Sequence, residues 1–176
     1  DLLDKHDVNY EIHVDAAFGG FIYPFTNPNN KLTFEHPKIM SFTMDAHKML
    51  QAPYGTGIFI ARKKRIERMN TASATYIPGS DNTVCGSRSG ANAIAVWMIL
   101  QAWGSEGGEK FCRSLIATTN YLCEGLKALK INFYRNEFMN VVGIDARSIS
   151  EDVANEYHLQ PDDHGKAGPR WWRVVV

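Results

Sequence analysis

Two short stretches hold residues whose types and spacing suit covalent chemistry. Asp15 closes the run EIHVD and is followed by AAFGG, small residues that leave room for something flat against the backbone. Lys48 follows the run KIMSFTM through Asp45, Ala46 and His47, ahead of Gly55 and Gly57, which permit a tight turn. An amine taken out of water gives up its proton more readily and can then condense with a carbonyl. A carboxylate in the same crevice can keep a heteroaromatic nitrogen protonated, so that the ring draws electrons from a neighbouring carbanion. The pair therefore points to pyridoxal phosphate, with Ser41, Thr43 and His47 as donors for its phosphate.

Spacing alone leaves two other readings open. A lone lysine is also a solvated surface residue, and an aspartate after a strand is also a cap. His13 with Asp15 and Asp45 with His47 form H-x-D and D-x-H pairs, and alternate strand residues share a face, so a metal-dependent hydrolase is conceivable. That reading gives Lys48 no task.

The elements that position these residues follow from pattern. Glu11 to Asp15, Lys38 to Met44 and Gly57 to Ala61 read as strands bounded by turn residues. If the first two run side by side in an open α/β sheet, both polar ends face the crevice outside the strands' carboxyl ends, where ligands bind. Ser89 to Trp103 is an apolar run without proline, expected as a buried helix that stops at Gly104. Beyond it Phe111, Leu115, Thr118, Leu122, Leu126 and Leu129 recur at helical spacing, an amphipathic face that requires no special chemistry. A strand-like NVVGIDA, a helical SEDVANEYHL, a polar PDDHGKAGP and a strand-like WWRVVV complete a small α/β region. The expected division is residues 1–104, part of a large domain, and 105–176, a small one.

Composition bounds the class. Forty-four per cent of the 176 residues are hydrophobic and 22% charged, as in a globular domain. Nineteen basic residues balance nineteen acidic ones, which gives no electrostatic case for nucleic acid or an anionic membrane. No apolar run reaches membrane-spanning length. The three cysteines, with no C-x-x-C pair, read as reduced thiols that pack, in a cytoplasmic protein. Asp1 opens a charged stretch without a methionine and the last residues are an unfinished strand, so the chain is expected to be a piece of a longer protein.

HVDAAFGGFIYPF at His13 to Phe25, taken with SFTMDAHKM at Ser41 to Met49, resembles the pyridoxal-phosphate-dependent group II amino-acid decarboxylases: glutamate, tyrosine/aspartate, histidine and aromatic amino-acid decarboxylases. The likeness continues through PYGTGIFIARK, TVCGSRSGANAIAVWMIL, WGSEGGEKF and the terminal WWRVVV, and so covers nearly the whole chain. It implies the aspartate-aminotransferase-like fold, fold type I, with part of the large domain and the small C-terminal one.

The resemblance assigns roles residue by residue. Lys48 would form the internal aldimine, and Asp15 would pair with the pyridine nitrogen. Ala17 matches the small residue against the ring, and His47 the histidine near the phosphate. Ser41 would be a phosphate contact; Ser87 in the GSR segment would reach the phosphate across a homodimer interface or else support the loop; and Arg173 would hold the substrate carboxylate or else be a surface arginine on an edge strand. Asp45 stands where relatives vary, and its role stays open. Tyr76 and GSDNTV are candidates for the substrate pocket or for a plain surface loop. The stacking histidine and main phosphate loop belong to an N-terminal half that this sequence lacks.

The implied reaction is decarboxylation of an L-amino acid, with tyrosine, glutamate or aspartate foremost. Histidine or serine remains open, because RNEFMNVV is similar to a segment of the histidine and serine enzymes. So do an aldehyde lyase similar to sphingosine-phosphate lyase and a non-catalytic scaffold.

Overall fold

The computed structural model describes residues 2–66, 85–163 and 168–176. Short helices α1 (Leu2–Lys5) and α2 (Tyr23–Thr26) flank the first strand, β1 (Ile12–Asp15). In β1 the apolar Ile12 and Val14 are half-buried and His13 and Asp15 exposed, the alternation expected of a strand with one covered face. β2 (Ile39–Asp45) lies in the middle, parallel to β1 and antiparallel to β3 (Gly57–Ala61). The register sets His13 beside Ser41, Asp15 beside Thr43, Thr43 beside Phe59 and Asp45 beside Gly57. Because β1 and β2 are parallel, Asp15 and Asp45 mark the same end of the sheet.

The chain divides into two compact units, residues 1–24 with 28–104, and residues 25–27 with 105–176. Their sequence boundary falls at a break in helix α3 (Gly90–Ala128), where Gly104 has φ 56° and ψ −171°. That region is open almost only to glycine. The three residues Phe25 to Asn27 join the second unit, which the sequence pattern did not foretell.

In the first unit Ala46, Leu50 and Ala52 form the buried centre, with Phe21, Ile58, Val96, Ile99 and Trp103 packed on them. Gly20 brings the turn after β1 onto β2, since a Cβ there would lie 2.9 Å from Met44 Cγ. Arg62 fastens the approach to β2, donating to the carbonyls of Phe34, His36 and Ile39. The apolar run ahead of Gly104 is helical as expected, but it is not wholly buried. Ile94, Trp97 and Met98 are 58–62% exposed, because only the Val96–Ile99–Trp103 side meets the core of this unit.

In the second unit, the part of α3 beyond Gly104 buries Cys112, Thr119, Cys123 and Leu126. Strands β4 (Phe133–Arg135), β5 (Val141–Asp145), β6 (Gln160–Pro161) and β7 (Trp171–Val175) form an antiparallel sheet in the order β4-β5-β7-β6. Helix α4 (Glu151–Glu156) is capped by Ser150, whose hydroxyl accepts from Val153 N. Cys123, Leu126, Val142 and Ile144 make the core. No disulfide joins the three cysteines; Cys112 and Cys123 are buried and Cys85 is exposed.

Candidate active site

The candidate site is built on the carboxyl ends of β1 and β2. Backbone hydrogen bonds tie the two ends together: Ala16 N donates to Thr43 O at 2.8 Å, and Asp45 N donates to Ala17 O at 3.1 Å. Asp15 Oδ1 accepts from Ala17 N at 3.0 Å, a local turn that orients the carboxylate. Asp15 is exposed, and its second oxygen has no partner among the described residues.

Lys48 sits in a turn anchored at both ends. Ala46 and Leu50 are buried, Ala46 N donates to Thr56 O, and Ala52 N donates to Ala46 O. The side chain of Lys48 reaches back so that Nζ lies 2.8 Å from Asp45 Oδ2. His47 Nε2 is 4.0 Å from the same oxygen, and its ring meets Tyr54 edge-on with centroids 5.3 Å apart. His47 Nδ1 is buried with no hydrogen-bond partner among the described residues. A buried ring nitrogen without a partner has hydrogen-bonding capacity left for a ligand atom or a water.

Alternation puts Ser41, Thr43 and Asp45 on one face of β2, together with His13 and Asp15 of β1. The face is knitted by His13, whose Nδ1 is 2.8 Å from Ser41 Oγ and whose Nε2 is 3.1 Å from Thr43 Oγ1. The Ser41 and Thr43 hydroxyls, expected at a phosphate, are thus already engaged with an imidazole. Among the described residues no three His, Cys, Asp or Glu side chains gather as a metal site.

The other expected positions are described each in its own unit. Ser87 is exposed just ahead of α3. Arg173 is exposed on β7, between Gly143 and Gln160, and donates to Pro161 O at 3.2 Å. Tyr76 and GSDNTV lie outside the described residues. Two participants were not assigned from sequence. Asp45, whose role stood open, is the partner of Lys48, and an acid three residues before a lysine in a turn was the available signal. Tyr54 gave none, since its contact with His47 depends on how the QAPYG turn closes.

The residues fit pyridoxal phosphate. An amine, a carboxylate with an open oxygen, a small residue in Ala17 and an orphaned ring nitrogen lie on one pair of strand ends.

Comparison with known proteins agrees. The family model of the pyridoxal-dependent decarboxylase conserved domain matches residues 1–142. A tryptophan decarboxylase of Clostridium sporogenes is 43% identical over 175 residues, 99% of this chain and 42% of the relative. An L-aspartate/L-glutamate decarboxylase of Pyrococcus horikoshii is 31% identical over 158 residues, 82% of this chain and 40% of the relative. Among solved structures, glutamate decarboxylase of Lactobacillus brevis superposes with a TM-score of 0.81 at 18% identity, covering 99% of this chain and 45% of that one. Sphingosine-1-phosphate lyase of Burkholderia pseudomallei gives 0.76 at 20% identity, covering 99% and 42%. These likenesses fix the fold as the aspartate-aminotransferase-like fold type I. The chain spans about 40% of the length of the curated relatives it matches. Within that span, the chain belongs to the pyridoxal-dependent decarboxylase family.

Proposed function

We propose that this chain is the part of a pyridoxal-phosphate-dependent amino-acid decarboxylase that anchors the cofactor, and that Lys48 is the anchor. The observation that carries the reading is the pairing of Lys48 with Asp45 on the strand ends that also present Asp15, within a family-model match. When bound there, pyridoxal phosphate supplies an acceptor for the electron pair that a departing carboxylate leaves on the α-carbon.

The chain's own residues do the rest. Lys48 Nζ provides the amine that holds the cofactor covalently. Asp15 accepts the ring N–H and keeps the nitrogen protonated. Ala17 leaves space for the ring. His47 offers Nδ1 toward the phosphate side. Arg173 is assigned to the substrate carboxylate, for which a guanidinium fork suits two parallel hydrogen bonds. Residues 1–104 then stand for the end of the large domain and 105–176 for the small one.

The reaction releases carbon dioxide from an L-amino acid and leaves the amine. Tyrosine, glutamate and aspartate are the substrates that the motifs suggest. The 43% identity to a tryptophan decarboxylase favours an aromatic side chain and puts tryptophan first. The remaining part of the protein and a second copy complete the site, with Ser87 meeting the phosphate of the neighbouring subunit. A helix apolar on both sides supports this, because Ile94, Trp97 and Met98 are too exposed to be left in water.

Carbon dioxide release from a panel of L-amino acids by the full-length protein tests the reading. Release from one aromatic substrate, absent in Lys48→Ala, supports it. Release from none, by cofactor-saturated protein, overturns it.

A further inference from the structure

We infer that Asp45 is a positioning residue for Lys48. Its carboxylate docks the amine at the end of β2 while no carbonyl is bound, and so sets how readily Lys48 captures one. The inference rests on the reading of Lys48 as the cofactor's anchor.

Asp45 is better placed for this than any surface acid. It is the last residue of β2, paired across the sheet with Gly57, and its side chain is only 19% exposed. Its backbone carbonyl accepts from Lys48 N at 3.1 Å, closing the turn that carries the lysine. The same residue thus holds Lys48 twice, by the main chain and by an ion pair at 2.8 Å. A Cβ at residue 57 would lie 3.7 Å from Asp45 Oδ1, so the glycine opposite adds no side chain to crowd the carboxylate.

The other titratable groups on the packed elements differ in kind. His47 shares Asp45 Oδ2 at 4.0 Å, and Tyr54 touches the His47 ring. Asp15, on β1, has Oδ1 committed to Ala17 N. Arg88 lines a cavity of about 470 Å³ with Gly55, Gly57 and Asn92. Of these, Asp45 alone pairs with Lys48 among the described residues.

The consequence is chemical. Condensation of an ammonium with an aldehyde joins nitrogen to the carbonyl carbon, expels one water and returns one proton to solvent. A carboxylate docked against the ammonium holds the amine at the end of β2 and must release it before the carbon–nitrogen bond forms. Removing the charge while keeping the shape should free the amine, by about threefold for a partly exposed ion pair.

The test is reductive methylation of the full-length protein with formaldehyde, before and after loading with pyridoxal phosphate. The label on Lys48 is followed by peptide mapping at neutral pH, with exposed Lys63 as internal reference. Asp45→Asn should raise Lys48 labelling by about threefold. Asp45→Glu, which keeps the charge, should restore wild-type labelling, and Lys63 should be unaffected. Equal Lys48 labelling in wild type and Asp45→Asn would overturn the inference, as would equal labelling in the two variants. Protein whose Lys48 takes formaldehyde but is never protected by pyridoxal phosphate would overturn the anchor reading instead, a failure visible in the loading arm alone.

Discussion

His13 and Ser41 face each other across the parallel β1–β2 pair, with the ring nitrogen Nδ1 2.8 Å from the serine hydroxyl. The other nitrogen reaches Thr43, and the ring stacks on Phe59 with centroids 6.1 Å apart. One imidazole therefore ties three strands. This gives Ser41 a structural task distinct from the phosphate contact that family resemblance implies. Ser41→Ala should lower stability by about 1 kcal/mol, the net worth of one hydrogen bond. Cofactor affinity should change by less than about threefold, whereas loss of a phosphate contact would cost about tenfold or more. Denaturant titration and a cofactor-binding isotherm on the same variant separate the two.

Gly104 offers a test of the break in α3. Alanine in a helix interior normally gains about 1 kcal/mol over glycine. Here the backbone sits at φ 56° and ψ −171°, and a Cβ would meet nothing within 4 Å. Backbone strain alone decides the sign, and Gly104→Ala should destabilise by about 1–3 kcal/mol. A stabilised variant would show that the helix prefers to continue.

The second unit carries its own pH dependence. Arg147 donates to both carboxylate oxygens of Asp145, and its backbone N–H to one of them, with Asn132 assisting. The guanidinium holds the Asp145 carboxyl well below the usual carboxylate range. A depressed folded value means stability that is present above the unfolded carboxylate range, near pH 4, and lost as pH falls through the folded value. The urea midpoint of Asp145→Asn should lie below wild type at pH 7, and the gap should narrow steadily below about pH 4. Because the Arg147 side chain is exposed, high salt should also trim it. A gap independent of pH would assign the loss to packing.

Arg173 tests the substrate assignment. Lysine keeps the charge but lacks the fork. Arg173→Lys should raise KM for the amino acid by about tenfold, with the melting temperature unchanged. An unchanged KM would leave the arginine to its contact with Pro161 O.

Much of this arrangement was legible in the chain. Bounding turn residues marked EIHVD, KIMSFTM and GIFIA as strands, and glycine at 104 gave the helix break. What escaped depends on contacts between segments far apart in sequence. β4 is three residues long, too short for periodicity to register, and β6 is a two-residue edge strand containing Pro161. Phe25 joins the second unit through Gly108, where a Cβ would lie 2.7 Å from its ring, and no local pattern encodes that. At the site, Asp15 and Lys48 stood out because their residue types imply a role. Asp45 did not, although an acid three residues before a lysine was a signal, because the pairing is fixed only when the turn closes.

The central claim is that Lys48 carries the cofactor. Borohydride reduction of the full-length protein saturated with pyridoxal phosphate, followed by peptide mapping, tests it most directly. A pyridoxyl group on Lys48 is the predicted result. An unmodified Lys48 in protein that retains the cofactor would contradict the account.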